Sequence, residues 1–446
     1  MEISERRLNN VIVLRPDGRI DNTTSAEFQM RLLAAINSEV GDIIIDFSGV
    51  EYISSAGLRA LMTAARLKAK ERRLAATALN TVVQEIFTIS RFHHVVPVFA
   101  SVEEATRAWV APTQASEAPT EPERPTSTVR VHFWGTRGSL PAPLGQASVR
   151  AKVREALLAL RGRALTTEAA VDEFIDRELA FSTRGTFGGN TSCVEIATGG
   201  DEYLLCDLGT GVREFGNQVL TRHGAERKHC FNVVLSHVHW DHIMGFPFFA
   251  PAYIPGNLIR IHGCHPALRE ALLRQQSEPC FPVDLRSLPA SIEFVELKPG
   301  VEHEIAGLSV TPIKQFHAGD SYGYRFCGGG KTIVYSTDCE HKGSLDEHYP
   351  FVEFFRDADL LIFDAMYSLA DSISVKEDWG HSSNMVAVEL AQLARVRRLA
   401  LFHHEPIFDD SMIEAVYRET KRFEEVSRNG YAVEVISAYD GLELAV

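Results

Sequence analysis

The segment Ser236-His237-Val238-His239-Trp240-Asp241-His242 places four metal-competent side chains within six positions, directly after the apolar run Phe231-Asn232-Val233-Val234-Leu235. Imidazole and carboxylate hold the divalent ions that catalyse hydrolysis. Alternation at a strand end turns His237 and His239 to one side before the chain bends to bring in Asp241 and His242. Four donors this close suit two ions rather than one. A histidine-rich surface loop is the plain alternative, and the buried strand in front of the motif weighs against it. A two-ion centre needs more donors, and three stand where other apolar runs end. His317 follows Val310-Thr311-Pro312-Ile313-Lys314-Gln315-Phe316, Asp338 follows Ile333-Val334-Tyr335-Ser336-Thr337, and His403 follows Leu399-Ala400-Leu401-Phe402. His404 competes with His403, because alternation lets only one of the two point inward.

The elements that must position these groups are legible in the hydrophobic pattern. Residues 128–134, 194–196 and 203–207 read as strands, and 324–327 with 332–336 form a hairpin around Gly328-Gly329-Gly330. Between the first two strands, 148–160 and 167–181 have helical spacing and read as an inserted helical cap. Upstream, 11–15 and 42–47 read as strands, while 26–36, 57–69 and 82–88 read as helices, which together imply a small α/β domain. Residues 111–128 are rich in Pro, Thr, Glu and Ala, lack a large apolar residue and cannot build a core. The expected organisation is a domain over 1–110, a flexible linker over 111–128 and a larger domain over 129–446.

Composition narrows the class. The 446 residues, 45% hydrophobic and 23% charged, describe a globular protein with room for two or three cores. No apolar run reaches membrane-spanning length, and Met1-Glu2-Ile3-Ser4-Glu5-Arg6-Arg7 lacks the apolar segment of a secretory signal, so a cytoplasmic location is expected. Seven scattered cysteines without a C-x-x-C pair suit a reducing compartment. Of 45 basic and 59 acidic residues, 13 and 13 fall in 1–110 and 1 and 3 in 111–128, which leaves 31 and 43 for 129–446. That acidic excess repels a long polyanion and makes nucleic acid a poor partner.

The upstream domain carries Asp46-Phe47-Ser48-Gly49-Val50-Glu51-Tyr52-Ile53-Ser54-Ser55-Ala56-Gly57-Leu58-Arg59. This run resembles the signature of STAS domains, the anti-sigma-factor antagonists, over about residues 1–110. The resemblance implies that Ser55, at the start of the following helix, is phosphorylated by an anti-sigma-like kinase. Phosphate at a helix N-terminus meets free N–H groups and adds a charge of about −2 to the surface a partner sees. Alternatively, Ser54 and Ser55 merely cap the helix. Many members of the family carry aspartate where this sequence has Ser54.

In the larger domain, the order and spacing of the donors resemble the αββα metallo-β-lactamase fold over about residues 129–446. Trp134-Gly135-Thr136-Arg137-Gly138-Ser139, Phe187-Gly188-Gly189-Asn190-Thr191-Ser192, Asp207-Leu208-Gly209-Thr210-Gly211, the run 317–324 and Gly380-His381-Ser382-Ser383 are similar to the branch containing ribonuclease Z and cyclic-nucleotide phosphodiesterases. Carried over by position, His237, His239 and His317 hold one divalent ion, Asp241, His242 and His403 the other, and Asp338 bridges them. Zinc is expected, with manganese or iron as alternatives. Two such ions roughly 3.5–4 Å apart supply a water-derived nucleophile near neutral pH.

Asp241 counts among the catalytic groups as well as the donors. His381 matches the residue that, in that branch, protonates the leaving oxygen or steadies transition-state charge; its plain alternative is a helix-capping neighbour of Ser382. Asp207 is expected outside the donor set, accepting a hydrogen bond from a ligand histidine or from the glycine turn. His262 and His265 fall outside every matched motif and read as loop residues, and His93 and His94 have no carboxylate cluster near them in sequence. The function expected is a phosphodiesterase acting on cyclic nucleotides or another small phosphodiester and regulated by the STAS half. A ribonuclease Z-like endonuclease is the runner-up, and a signalling scaffold is the reading from another class. A homodimer is left open.

Overall fold

The computed structural model describes every residue except 9, 22, 39, 40, 68–71, 90, 91, 93–95, 111–128, 342–347, 368–379 and 429. The chain divides into two compact units, Met1–Glu123 and Arg124–Val446. The expected linker at 111–128, His93 and His94 lie outside the described residues. No described helix is long and apolar enough to cross a membrane.

The first unit is one sheet dressed with helices. Strand Val11–Ile20 runs antiparallel to Glu2–Leu8 and parallel to both Asp42–Asp46 and Gly49–Ile53, and Leu74–Thr77 and Val98–Phe99 extend the sheet beyond Asp42–Asp46. Every residue of Asp42–Asp46 is buried. Alternation explains why: Ile43 and Ile45 pack with Phe28, Leu32 and Leu61 from helices Ser25–Asn37 and Ser55–Leu67, whereas Ile44 packs on the other face with Val102 and Ala105 of helix Val102–Val110. A strand covered on both faces is apolar along its middle, which is the pattern of Ile43-Ile44-Ile45 between the terminal aspartates.

The second unit contains two seven-stranded sheets. One joins Ser291–Glu296, Leu258–Gly263, Cys230–Val234, Tyr203–Cys206, Cys193–Ala197, Arg130–Gly135 and Glu443–Ala445 in that order; the other joins His303–Ile305, Leu308–Gln315, Ser321–Gly328, Lys331–Ser336, Leu360–Asp364, Arg398–Phe402 and Glu434–Ser437. Phe133, Val194, Leu204 and Val234 from the first sheet meet Val310, Tyr324, Ile333, Ile362 and Phe402 from the second in one core. The outer face of the first sheet packs against helix Val212–His223, and that of the second against Pro350–Phe355 and Asn384–Leu393. Helix, sheet, sheet, helix is the αββα sandwich expected from the sequence.

The hairpin forms between Ser321–Gly328 and Lys331–Ser336, and Gly329 and Gly330 make its two-residue turn with φ of 58° and 71°. Positive φ at both central positions is the demand of a type I′ turn, which glycine meets without strain. The helical insertion forms as Gln146–Ala159 and Glu168–Glu178. His262 corrects the sequence reading: it lies in strand Leu258–Gly263, buried, with its ring against Asn232 at 3.2 Å, rather than in a loop.

Because Ile362 stands fully buried where the two sheets meet, Ile362→Ala is expected to cost about 2–5 kcal/mol. Calorimetry should show the unfolding transition of the second unit lowered and that of the first unchanged.

Candidate metal centre

Four of the donors sit just past the carboxyl end of a strand. His237 follows Cys230–Val234, His317 follows Leu308–Gln315, Asp338 follows Lys331–Ser336, and His403 follows Arg398–Phe402. Asp241 and His242 belong to the short helix Trp240–Ile243 that the chain enters after His239. Three strand-end residues adopt left-handed backbone without being glycine: Asp207 at φ 63°, Asp338 at 52° and His403 at 61°. This conformation turns the chain sharply as it leaves the sheet and costs on the order of 1 kcal/mol or more per residue.

The side chains converge in two sets. His237, His239 and His317 offer nitrogens within 4.8 Å of one another, and so do Asp241, His242, Asp338 and His403 with their own ligand atoms. Asp338 faces both sets. Its Oδ2 lies 3.7 Å from the Nε2 atoms of His237 and His317, and its Oδ1 lies 3.2 Å from His242 Nε2 and 3.3 Å from His403 Nε2. Asp241 Oδ2 stands 3.1 Å from His242 Nε2 and 3.3 Å from His403 Nε2. His237 Nε2 and His242 Nε2 are buried and make no hydrogen bond within the described protein. Buried ring nitrogens are normally paired, so these two, aimed at carboxylate oxygens without bonding them, fit a divalent cation as shared partner.

Electrostatics point the same way. Burial alone would raise Asp338 and Asp241, yet the neighbouring histidines hold Asp338 well below the usual carboxylate range, and His242 with a hydrogen bond from His403 does the same for Asp241. Burial pushes His237 well below the ordinary histidine value; His242 is subject to the same penalty, but Asp241, Asp338 and Asp207 lift it well above. Ionised carboxylates and crowded imidazoles in one buried space are a donor set for a cation.

The next layer of contacts fixes the rings. Asp207 Oδ2 accepts from His242 Nδ1 at 2.7 Å, from Ser236 Oγ at 2.8 Å and from Tyr335 Oη at 2.7 Å, while Oδ1 accepts from the Ser236 amide at 2.7 Å. With its Nδ1 proton held by Asp207, His242 presents the Nε2 lone pair to the cluster. His317 donates from Nδ1 to the Gly380 carbonyl at 2.9 Å, with the same consequence for its Nε2. Gly380 has φ +86°, and a Cβ there would stand 2.2 Å from His317 Nδ1, so only glycine fits. His404 turns away and donates from Nε2 to the Ala438 carbonyl at 2.8 Å, which leaves His403 as the ring in the cluster.

His381 lies beside the cluster, its Nδ1 2.7 Å from Asp364 Oδ2 and 4.0 Å from Asp338 Oδ2. Burial lowers His381, but Asp364 more than offsets this and pushes it up to about 9. Ser383, not Ser382, caps helix Asn384–Leu393, accepting from the Val386 amide; Ser382 Oγ donates to the Cys339 carbonyl instead. Sequence reasoning missed Asp364 although it ends the apolar strand Leu360–Asp364, the same signal that marked Asp207 and Asp338. It also assigned no role to Ser139, whose amide donates to Asp241 Oδ2 at 2.8 Å, or to the buried Arg137. In the first unit Ser55 is the first residue of helix Ser55–Leu67, and Ser54 Oγ accepts from the Gly57 amide at 3.4 Å, so a serine hydroxyl stands where a capping aspartate would act.

Comparison with known proteins agrees with this division. Residues 2–105 match the STAS domain family and residues 203–404 the beta-lactamase superfamily domain. BtrV of Bordetella bronchiseptica, a candidate anti-sigma factor antagonist, is 27% identical over 110 residues, which make up 24% of this chain and 95% of that one. Ribonuclease Z of Bradyrhizobium sp. is 23% identical over 276 residues, covering 50% of this chain and 87% of the relative. The structure of unliganded yeast PDE1 aligns at 16% identity with a TM-score of 0.48, over 72% of this chain and 100% of that one.

Replacing Asp207 by asparagine keeps the shape but exchanges the carboxylate that holds the Nδ1 proton of His242. Asp207→Asn is expected to weaken binding of one of two divalent ions by about 10–100-fold. Titration against a chromophoric chelator measures this.

Proposed function

Because residues 203–404 match the beta-lactamase superfamily domain and residues 2–105 the STAS domain, we propose that this chain is a divalent-metal hydrolase of small phosphodiesters, cyclic nucleotides foremost, controlled by its STAS unit. The observation that carries the reading is Asp338, one oxygen of which faces His237 and His317 while the other faces His242 and His403. In this reading His237, His239 and His317 hold one ion, Asp241, His242 and His403 the other, and Asp338 stands between, with zinc the expected metal and manganese or iron the alternatives. When bound, two such ions neutralise charge on phosphoryl oxygens and make water a nucleophile at neutral pH. Asp364 keeps the Nδ1 proton of His381, so Nε2 is the atom from which His381 transfers a proton to the leaving oxygen.

The substrate follows from charge and size. With 31 basic against 43 acidic residues over 129–446, the domain favours a compact phosphodiester over a long polyanion. Relatives named ribonuclease Z support a second reading, an RNA endonuclease. Control is assigned to Ser55, the first residue of its helix, where a phosphate of charge about −1.5 to −2 alters the surface offered to an anti-sigma-like kinase.

Metal-loaded protein should convert 3′,5′-cyclic AMP or cyclic GMP to the monophosphate, and Asp241→Asn should lower turnover by about 100-fold or more, since several kcal/mol of charge stabilisation depend on the ions. Chromatography of the products decides. Cleavage of a precursor tRNA with intact cyclic nucleotides would transfer the assignment to the endonuclease; no turnover of either at full metal occupancy would leave a scaffold. Ser55→Glu is expected to change the rate measured with a partner kinase present, while Ser55→Ala holds it constant. Equal rates for wild type and both variants would remove Ser55 from the control of activity.

A further inference from the structure

Beside the candidate centre lies a cavity of about 860 Å³ lined largely by apolar side chains, among them Val238, Trp240, Met244, Phe248 and Phe281. Its size is that of a small-molecule site, which typically spans about 300–1,000 Å³. Two wall residues are unusual for a protein surface: Trp240 is 74% exposed and Phe248 59% exposed. Phe248 meets Phe281 edge to face, with ring centroids 5.7 Å apart. Large aromatic faces left open to water in a concave wall are favourable sites for a flat apolar ligand.

The cavity is continuous with the metal donors through the chain itself. Val238 and Trp240 alternate with His237, His239 and Asp241, and the helix Trp240–Ile243 supplies Asp241 and His242 to the cluster and Trp240 and Ile243 to the cavity wall. A second link runs through His265, which donates from Nε2 to the Gly319 carbonyl; Ala267, two residues on, lines the cavity, and Gly319 lies against His239. The wall also has a fixed polar group. Gln275 donates from Nε2 to the Ile243 carbonyl at 2.8 Å, which orients the amide and leaves Oε1 as an acceptor beside the aromatic rings. An alkyl chain there would desolvate that acceptor without replacing its hydrogen bond, whereas a heteroaromatic ring stacks on the indole and can donate an N–H.

We propose that this cavity is the subsite for the planar base of the substrate, a nucleobase stacked on Trp240 and flanked by Phe248, while the phosphodiester reaches the donors on the other side of the same short helix. The proposal deepens the phosphodiesterase reading and rests on it for the ester, though not for recognition of the base. It makes Trp240 and Phe248 residues that set specificity.

The test is calorimetric titration of the full chain with adenosine, which carries no phosphate, for wild type, Trp240→Ala, Phe248→Ala and Trp240→Phe. Both positions are exposed, so the substitutions remove little packing, and circular dichroism verifies the fold of each variant. Adenosine should bind wild type, with affinity falling about tenfold in each alanine variant, as expected for loss of a base-stacking ring, and mostly recovered in Trp240→Phe. No adenosine binding to wild type, wild-type affinity retained in both alanine variants, or displacement of adenosine by 1-hexanol at lower concentration would overturn the subsite. Trp240-dependent adenosine binding without hydrolysis of any cyclic nucleotide would defeat the phosphodiesterase reading and leave the subsite standing. Hydrolysis of cyclic AMP with a KM indifferent to both alanine variants would do the reverse.

Discussion

Two carboxylates, Asp241 and Asp338, are buried among histidine rings, and two of the ring nitrogens facing them, His237 Nε2 and His242 Nε2, make no hydrogen bond within the described protein. Burying unpaired charge is among the costliest acts in folding, so the arrangement persists only where a strong opposing charge compensates and where the backbone leaves the groups no other place to go. Much of the second unit serves the latter condition. Left-handed residues at three strand ends keep the side chains at the sheet edge, and a glycine-only approach at Gly380 lets the backbone carbonyl reach His317.

Below the donors, a polar frame holds the connecting loops. The Arg137 guanidinium is buried and donates to three main-chain carbonyls, those of Gly188, Glu405 and Phe408. Asp440 accepts from the amides of Gly189 and Asn190 and from Thr136 Oγ1, and burial pushes its carboxyl up to about 6. These bonds join segments distant in sequence, one leading to Ser139, which donates to Asp241, and another following directly on His403. Donor geometry needs to be held to within about 0.5 Å to be useful, and a frame of backbone-anchored polar groups supplies that precision better than side-chain packing alone.

The first unit has an apolar core of its own built around Ile43, Ile45, Phe28 and Phe87. Residues 1–110 are charge-balanced, with 13 basic and 13 acidic, whereas 129–446 is acidic. One helix N-terminus in the first unit has Ser54 as cap and Ser55 as the next residue.

Local order was legible in the sequence because it is written in periods the chain imposes on itself. Alternating and continuous apolar runs marked the strands that end at His237, His317, Asp338 and His403, and Gly329-Gly330 marked the hairpin turn. What alternation could not decide was which of His403 and His404 enters the cluster, because that choice depends on the left-handed turn at His403 and on the Ala438 carbonyl waiting for His404. His262 was misread for a similar reason: its histidine pattern resembled a loop, while pairing with neighbouring strands held it in the sheet. Asp364, Arg137 and Ser139 act through partners 17 to more than 250 residues away, and one-dimensional patterns carry no such distances. The sequence by itself determined the class of donors, the strands that deliver them and the division into a neutral and an acidic half. Only the tertiary structure decided which oxygen faces which histidine and which ring nitrogen keeps its proton, because those depend on packing two sheets face to face.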